Sequence, residues 1–466
     1  MIIRFLIFLN IAFCYYQKDP IMMGLAGSYN TVAHGYQSVG INPANLAFED
    51  KNYIGLFGNN MSLSNNLFTQ YRLNDISGVY LDSTKKQDII EYLDDGPIKV
   101  NSLLSLPFAL NFSAKTIAIT SKINTFSSFD LSQDFLKLFL YGNNQIGEDY
   151  RYNLFMNNKI TMIWETSFSK AFNFDPLGIG FTIKYLRGLF HYSLEPTQEP
   201  YFQTNFTDIT SKNTYIMKQN VGGEGFAIDL GLATKRLESG WKFGISLINL
   251  GGQIKWNKLN SNINLAYDEN ESYLIDLSIS EMNAQNLNSL PTDEIFVFDS
   301  FTVYEVNTLP DNININDIDS TYYCSDEQCN SYYVKSEDYD PDNLDLVSIS
   351  SIQTEYPTSL SFGFSKKTNK GKIIVMDLVT GMDKAWGNLP KWRFSSGYIF
   401  GSKKIPVRIG FSYGGYDYKS VGFSYGFKGK KERFNIDFGF SYIDSFNIPK
   451  SNGFNFGINV YWINKK

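Results

Sequence analysis

Two cysteines close together in the chain are the first residues whose type and spacing suggest chemistry. Cys324 and Cys329 are separated by four residues in a segment rich in Asp, Asn and Ser. An exported chain meets an oxidising compartment, where two such thiols form a disulfide that closes a small loop. A metal site would need further thiolates or imidazoles nearby. We therefore predict a Cys324–Cys329 disulfide and no firm metal site.

Carboxylates at alternate positions follow in the same segment. Asp338, Asp340 and Asp342 have the spacing of a calcium-binding loop. Counted from Asp338, however, the twelfth position is Ile349, where an EF-hand carries its bidentate Glu. The mismatch argues against a full EF-hand. A solvated acidic loop is the default interpretation, and loose calcium binding is the alternative.

Residues typical of catalysis do not come together in the sequence. His34 and His191 are the only histidines, and neither has a neighbour that would make it catalytic. Gly222 to Gly225 resembles a phosphate-binding loop, but no Gly-Lys-Ser/Thr follows it. We predict no catalytic residues, no enzyme activity and no cofactor.

The composition indicates a folded β protein. Of 466 residues, 43% are hydrophobic, 16% are aromatic and only 19% are charged, which argues against disorder and against a coiled coil. The net charge of −6 is unevenly spread, because residues 257–350 hold 19 acidic residues and two lysines. The remaining basic excess is dispersed over many strands, so we predict no nucleic-acid binding.

The amino terminus has the pattern of an export signal. Met1 to Cys14 holds one basic residue, Arg4, and then a short apolar run that is too short to span a bilayer as a helix. We predict cleavage before Tyr15. Lipidation at Cys14 and a buried first strand are the alternatives.

The body of the chain alternates apolar and polar residues at a period of two, as strands with two different faces do. Phe434 to Tyr442 and Phe454 to Trp462 show it most clearly, and Ile160–Phe168, Ile179–Tyr185 and the hairpin Phe226–Leu247 repeat it. These runs are about ten residues long, the length that a tilted strand needs to cross a bilayer. No stretch approaches 18 uninterrupted apolar residues. The pattern predicts a membrane β-barrel with outward aromatic faces.

Other elements follow from local signals. Trp241, Trp256, Trp392 and Trp462 fall at strand ends, as a girdle at the lipid headgroups would require. Ser83 is predicted to cap a helix over residues 84–94, and Asp130 or Ser132 a helix that ends near Tyr141. Glu165, Asp229 and Asp437 are predicted to face the lumen and to pair there with Lys184, Arg393 or Arg408. A polar route for a solute is the alternative.

The segment after the export signal resembles the opening of the long-chain fatty-acid outer-membrane transporter superfamily. Met23–Tyr29 and His34–Gly35 precede Asn42–Ala47, and this order is closest to a branch typical of Bacteroidetes-like bacteria that is related to the type IX secretion shuttle barrel. The resemblance implies a barrel of about fourteen strands whose amino-terminal segment fills the lumen as a hatch. The hatch residues it implies are Gly24, Ala26, Gly27, His34, Asn42, Pro43 and Ala44.

We therefore predict an all-β transmembrane barrel in a bacterial outer membrane. Residues 1–14 are expected to be a signal peptide and 15–50 the hatch, while 51–256 and 351–466 form the barrel and 257–350 an exposed acidic insertion. The expected function is passive uptake of a hydrophobic or amphipathic small molecule, with membrane lipid as a partner. The alternative is a surface barrel that presents the insertion to an extracellular or secretion protein.

Overall fold

The computed structural model describes residues 19–93, 96–108, 111–142, 151–196, 199–204, 208–212, 214–256, 272–277, 297–298, 301–304, 322–324, 332–334, 353–388, 390–415, 419–429 and 433–464. The predicted signal peptide, Cys329, Asp338, Asp340 and Asp342 lie outside these residues. The disulfide and the calcium site therefore stay predictions.

Fourteen strands form one sheet. In chain order they are β1 (Asn52–Asn65), β2 (Ile98–Pro107 and Asn111–Ala114), β3 (Ile117–Leu131), β4 (Met156–Phe174), β5 (Leu177–Pro196), β6 (Thr214–Thr234), β7 (Trp241–Trp256), β8 (Gln353–Glu355 and Ser359–Lys367), β9 (Ile373–Gly381), β10 (Arg393–Gly401), β11 (Pro406–Gly414), β12 (Lys419–Lys428), β13 (Phe434–Ile443) and β14 (Gly453–Asn464).

The sheet closes into a barrel. Each strand pairs antiparallel with the strands before and after it, and β1 pairs with both β2 and β14. Closure leaves no edge strand, so each strand has a paired neighbour on both sides. The predicted fold and strand number are confirmed.

The two ends of the barrel differ. Six connections of two to six residues join strands at one end, which we call the short-turn end. The four longest connections, residues 66–97, 132–155, 197–213 and 257–352, all lie at the opposite end, the long-loop end. The acidic insertion therefore belongs to the long-loop end.

The outer and inner faces of the wall are inverted relative to those of a soluble protein. Phe434, Phe438 and Phe440 point outward, and Phe226 on the outside is 61% exposed. Lys184, on the inner face, is 1% exposed. An apolar exterior around a polar interior is the arrangement of a barrel whose wall meets lipid, as the alternating pattern predicts.

Two local predictions need correction. Trp256 is turned inward, is buried, and donates from its indole nitrogen to Thr354 Oγ1 (2.9 Å), so it is no part of an outer girdle. The first predicted helix runs Ser83–Glu91, and Asp82 caps it by accepting from the Lys85 N–H (2.9 Å). The carboxylate at the preceding position reaches the first turn and takes the capping role expected of Ser83.

Three helices cover part of the long-loop end. They are Gln70–Ile76, Ser83–Glu91 and Gln133–Tyr141. Ser132 occupies the N-cap position of the last helix, but its hydroxyl makes no capping hydrogen bond and donates to the Asn153 carbonyl. Apolar side chains of these helices and of the residues beside them meet in one cluster: Leu67, Ile89 and Leu93 are buried, and the partly buried Ile76, Leu136 and Leu140 pack against them. No helix within the described ranges is long and apolar enough to cross a membrane.

Short strands lie outside the fourteen barrel strands. Arg151–Asn153, Tyr201–Thr204, Asp208–Lys212 and Phe301–Tyr304 form a small second sheet. Ser272–Leu277 pairs with the first residues of β6, Val297–Phe298 pairs with it in turn, and Tyr322–Cys324 pairs with Tyr332–Val334. Short strands of the acidic insertion thus pair with β6 and with Asp208–Lys212.

The outward face generates a stability prediction. Leu230 lies on the outside of β6, and Leu230→Lys should lower the free energy of unfolding by about 2–4 kcal/mol, because a charge would enter the lipid. Urea unfolding of the protein folded into phospholipid vesicles measures this. The matched control is Leu237→Lys in the turn after β6, expected to change stability by at most about 0.5 kcal/mol. Equal effects at the two positions would contradict a lipid-facing wall.

Candidate functional site

The amino-terminal segment, residues 19–50, lies inside the barrel, and we call it the hatch. It contains a helix, Pro20–Gly24, and two 3-10 helices, Gly35–Ser38 and Pro43–Phe48. Proline begins the first and the last of them, where its missing N–H costs nothing. Asp19 caps the first by accepting from the Ile21 N–H (2.8 Å). Local sequence signals therefore shape each turn of the hatch.

The Asn42-Pro43-Ala44 motif is a capped turn within the lumen. Asn42 is extended, and its side-chain oxygen accepts from the Ala44 N–H (3.1 Å). Its amide nitrogen donates to the Leu232 carbonyl on β6 (3.1 Å) and to Asn30 Oδ1 (2.8 Å). The motif thus joins two parts of the hatch to the wall.

The hatch touches the wall around the whole barrel. Pro20–Gly24 packs against β12, β13 and β14, and Pro43–Phe48 packs against β4, β5 and β6 on the other side. Tyr36 donates its hydroxyl to Asn459 on β14 (2.9 Å), while Asn30 bonds Ser246 on β7 (3.1 Å). The lumen is therefore filled by ordered protein at this level.

Asp377 on β9 holds the centre of the hatch. One of its carboxylate oxygens accepts from the backbone N–H of both Tyr29 (2.6 Å) and Asn30 (2.7 Å). The Asn30 carbonyl in turn accepts from Asn45 Nδ2 (2.8 Å). Nothing in the local sequence pairs β9 with the hatch, and sequence reasoning missed Asp377.

Ten strand glycines make room for backbone or side-chain atoms of the hatch. A Cβ on Gly422 would lie 2.0 Å from the Met23 carbonyl oxygen, and one on Gly439 would lie 2.1 Å from that of Pro20. The same close approach to the hatch occurs at Gly178, Gly180, Gly231, Gly244, Gly363, Gly397, Gly410 and Gly457. Inward-facing glycines at alternating strand positions are therefore the sequence signal of a lumen that is filled by a hatch.

The remaining predicted hatch residues lie in this packed layer. Gly24 sits against Ser424 of β12, and Gly27 has a φ of +100° and a Cβ position 2.4 Å from the Arg393 guanidinium, so no larger residue fits there. Ala26, with a φ of +49°, forms the same bend. His34 is partly buried, and its ring lies 5.3 Å from that of Tyr53.

Burial changes the protonation of two hatch groups. It lowers the pKa of His34 to about 4, so the ring is neutral at pH 7. Burial, reinforced by the charge of Asp437, raises the pKa of Asp19 to about 6. The Asp19 carboxylate accepts from the side-chain nitrogens of Gln37 (2.9 Å) and Asn459 (3.3 Å). These contacts hold the first turn of the hatch on β14.

Ion pairs fill the lumen around the hatch. Lys184 Nζ lies 2.8 Å from Asp229, and Arg408 Nη1 lies 2.8 Å from Asp437. Both pairs match the luminal network that the sequence predicts. Glu165 differs: it pairs with Lys122 (3.3 Å) and accepts from the Tyr356 hydroxyl, neither of which was expected. Arg393 lies beside Gly27 of the hatch.

The wall is irregular where β1 meets β2. Ladder pairs join Asn60–Asn65 to Val100–Ser105 and Asn52–Gly55 to Asn111–Ala114. Between them, Gly58 and Asn59 have no ladder pairing with Leu106 and Pro107, and Pro107 has no N–H to donate. On its other side, β1 carries a bulge between Gly55 and Phe57 in its pairing with β14. The barrel therefore has a weak seam at this level.

A small cavity of about 80 Å³ lies between the hatch and this seam. Its hatch side is formed by Asp19, Tyr36, Gln37 and Val39. The wall contributes Gly58, Asn60, Ser105, Pro107, Asn111, Thr120, Lys122 and Asn459. Leu56, Phe57, Leu106 and Phe108 are exposed on or beside the outside of the same seam. The polar cavity and the apolar exterior are thus separated only by the interrupted ladder.

Aromatic rings form a layer on the inner side of the wall nearer the long-loop end. Trp386 stacks on Phe126 (5.6 Å between centroids) and meets Tyr356 edge-on (5.0 Å). Trp256 stacks on His191 (5.2 Å). His191, with Thr161 as its hydrogen-bond partner, is therefore part of the packing. A molecule that moves from the long-loop end towards the hatch would have to pass this layer.

The Asp377 anchor gives a testable consequence. Asp377→Ala would leave two buried N–H groups without their acceptor, at a cost of about 1–3 kcal/mol each. We expect faster hydrogen exchange at Tyr29 and Asn30, measured by mass spectrometry on the protein in nanodiscs.

The matched control is Asp383→Ala at the long-loop end, because Asp383 also accepts from two backbone N–H groups, those of Thr358 (2.6 Å) and Ala385 (3.0 Å). It should speed exchange there and spare the hatch. Unchanged hatch exchange in Asp377→Ala would refute the anchor.

Solved structures that share features with this chain include three channels. The toluene transporter TbuX of Ralstonia pickettii has a TM-score of 0.45 at 12% identity, with 98% of each chain covered. The toluene transporter TodX of Pseudomonas putida has a TM-score of 0.46 at 11% identity, covering 97% of this chain and 98% of that one. The monoaromatic hydrocarbon channel CymD has a TM-score of 0.47 at 13% identity, covering 98% and 99%.

Identities this low carry no information about substrate. No curated protein matches the sequence. The predicted Bacteroidetes-type branch stays a prediction. Residues 43–325, which run from the Asn-Pro-Ala motif through the first seven strands into the insertion, match a described family. The chain belongs to that family, the family of unknown function DUF5723.

Proposed function

We propose that this protein is an outer-membrane channel for passive uptake of a hydrophobic or amphipathic small molecule. The observation that carries the proposal is the cavity between the hatch and the interrupted β1–β2 ladder. A lumen filled by an ordered hatch does not offer an open aqueous pore. A seam in the wall offers a second exit, which an apolar solute can use because lipid lies outside it.

The orientation follows the general rule for outer-membrane barrels, which have short periplasmic turns and longer extracellular loops. The long-loop end, with the helices and the acidic insertion, then faces the exterior. A ligand would enter there, pass the aromatic layer around Trp386, and reach the cavity beside Tyr36. Nothing in this path needs an energy source.

Release at the seam is supported by the residues on its two sides. The lumen side is lined by small and polar groups such as Gly58 and Asn60, while Phe57 and Phe108 lie exposed on the outside. Opening would cost little, because the seam lacks the hydrogen bonds that hold the other strands together. Membrane lipid would receive the ligand directly.

Filling the cavity tests the proposal. Gly58→Phe should reduce uptake of N-phenylnaphthylamine, a neutral hydrophobic dye, at least tenfold in bacteria that carry the protein in their outer membrane. Fluorescence of the dye on reaching the membrane interior is the readout. Gly429→Phe, the same change at the end of β12 beyond the cavity, should leave uptake unchanged. Equal uptake in both variants would exclude this route.

Loosening the hatch tests its role as a gate. Replacing Asn42-Pro43-Ala44 by Gly-Ser-Gly removes the cap and the bonds to Leu232 and Asn30. Conductance in planar bilayers should rise, because ions could then pass the lumen. The same replacement at residues 445–447, in the connection between β13 and β14, serves as the control. A loosened hatch without added conductance would show that another element closes the lumen.

A further inference from the structure

A second and larger cleft opens at the short-turn end, away from the seam. It has a volume of about 630 Å³ and lies between the end of the hatch and the turn that joins β6 to β7. Three cationic residues line it: Lys235, Arg236 and Lys242. The uptake route described above does not pass through it.

Two of these cations have only neutral partners. Arg236 donates to the Gly240 carbonyl (2.8 Å) and to Ser365 Oγ (3.1 Å), and Lys242 donates to Asn45 Oδ1 (2.7 Å). Within the described part of the chain, no carboxylate lies within ion-pair distance of either. Both side chains are partly buried, where a charge is normally paired. Lys235, by contrast, pairs at the exposed rim with Asp175 (3.5 Å).

The acidic residues at the cleft do not supply the missing counter-charge by direct contact. Glu49 is engaged by the hatch and β1, because its carboxylate accepts from the Gly35 N–H (3.2 Å) and from the Tyr53 hydroxyl (3.2 Å). Asp50 is exposed. Among the described residues, Arg236 and Lys242 therefore have no carboxylate in direct contact.

Five apolar residues also line the cleft. Val32, Ala33 and Ala47 come from the hatch, Ile373 comes from β9, and the Phe48 ring lies 5.8 Å from Lys242 Nζ. Cations at one side of an apolar wall match a ligand that has one charged end and one apolar part. The volume lies in the range of sites for small molecules, about 300–1,000 Å³.

We propose that this cleft binds an amphipathic anion, with a carboxylate between Arg236 and Lys242 and an apolar chain against Val32, Phe48 and Ile373. Guanidinium donors form two parallel hydrogen bonds to a carboxylate, and the lysine adds a point charge. The site stands independently of the proposed uptake route, because it lies at the other end of the hatch and involves different residues.

Octanoate is the probe, titrated by calorimetry into the protein in nanodiscs of zwitterionic lipid, with empty nanodiscs subtracted. Octanol tests the charge, and acetate tests the chain. We expect octanoate to bind at least tenfold more tightly than either, and its affinity to fall as KCl is raised, since salt screens the contact. Binding of acetate or octanol as tight as the binding of octanoate would overturn the proposal.

Variants locate the site. The double change Arg236→Gln with Lys242→Gln should weaken octanoate binding at least tenfold, while Arg236→Lys and Lys242→Arg, which keep the charge, should retain most of it. Lys403→Gln, in another turn of the same end, is the matched control and should bind as the parent does. Heat-modifiable gel migration checks that each barrel is folded. Unweakened binding by a folded double variant would refute the site.

Nanodiscs of an anionic phospholipid distinguish a free ligand from a lipid headgroup. Octanoate affinity that stays unchanged supports a free amphipathic anion. Competition by the anionic lipid would identify the occupant as a headgroup and overturn the assignment to a free ligand.

Discussion

The close approach of the hatch backbone to the barrel wall is the constraint on which the other features depend. A fourteen-strand barrel encloses more space than its own inward side chains fill. Here the space is filled by a second layer of chain, and backbone can meet backbone only where the wall carries no Cβ, as at Gly422 against Met23. The polar groups that this layer brings inside are then bonded to the wall, as Asp377 is to Tyr29 and Asn30. The ladder of the wall is interrupted at the seam between β1 and β2.

Charge within the lumen has two different roles. Lys184 with Asp229, and Arg408 with Asp437, are mutually paired and carry further hydrogen bonds, so they act as filling that keeps the interior polar and rigid. Arg236 and Lys242 at the short-turn end lie against neutral acceptors beside an open cleft. The charges of the two luminal pairs neutralise each other. Arg236 and Lys242 have neutral acceptors and can still attract an incoming anion. The same residue types thus give structure in one place and a candidate site in another.

The seam and the cleft border different parts of the hatch. At the seam, the hatch meets a wall weakened by Pro107 and by the bulge in β1. At the cleft, its last turn meets the β6–β7 turn. The hatch therefore borders both places, because Tyr36 and Gln37 line the cavity at the seam and Asn45 accepts from Lys242 at the cleft.

Much of the architecture is determined by the sequence alone, because the face on which a strand residue lies depends only on its parity along the chain. The alternation at Phe434 to Tyr442 was enough to predict which side chains face outward, whereas the hatch around Asn42-Pro43-Ala44 was predicted from a resemblance and not from the pattern. Only the tertiary structure decided which distant residues meet. Asp377 lies 348 positions from Tyr29, Glu165 pairs with Lys122 and not with a predicted partner, and Trp256 turns inward. Such contacts depend on strand register and on closure of the barrel, which a period of two leaves undetermined.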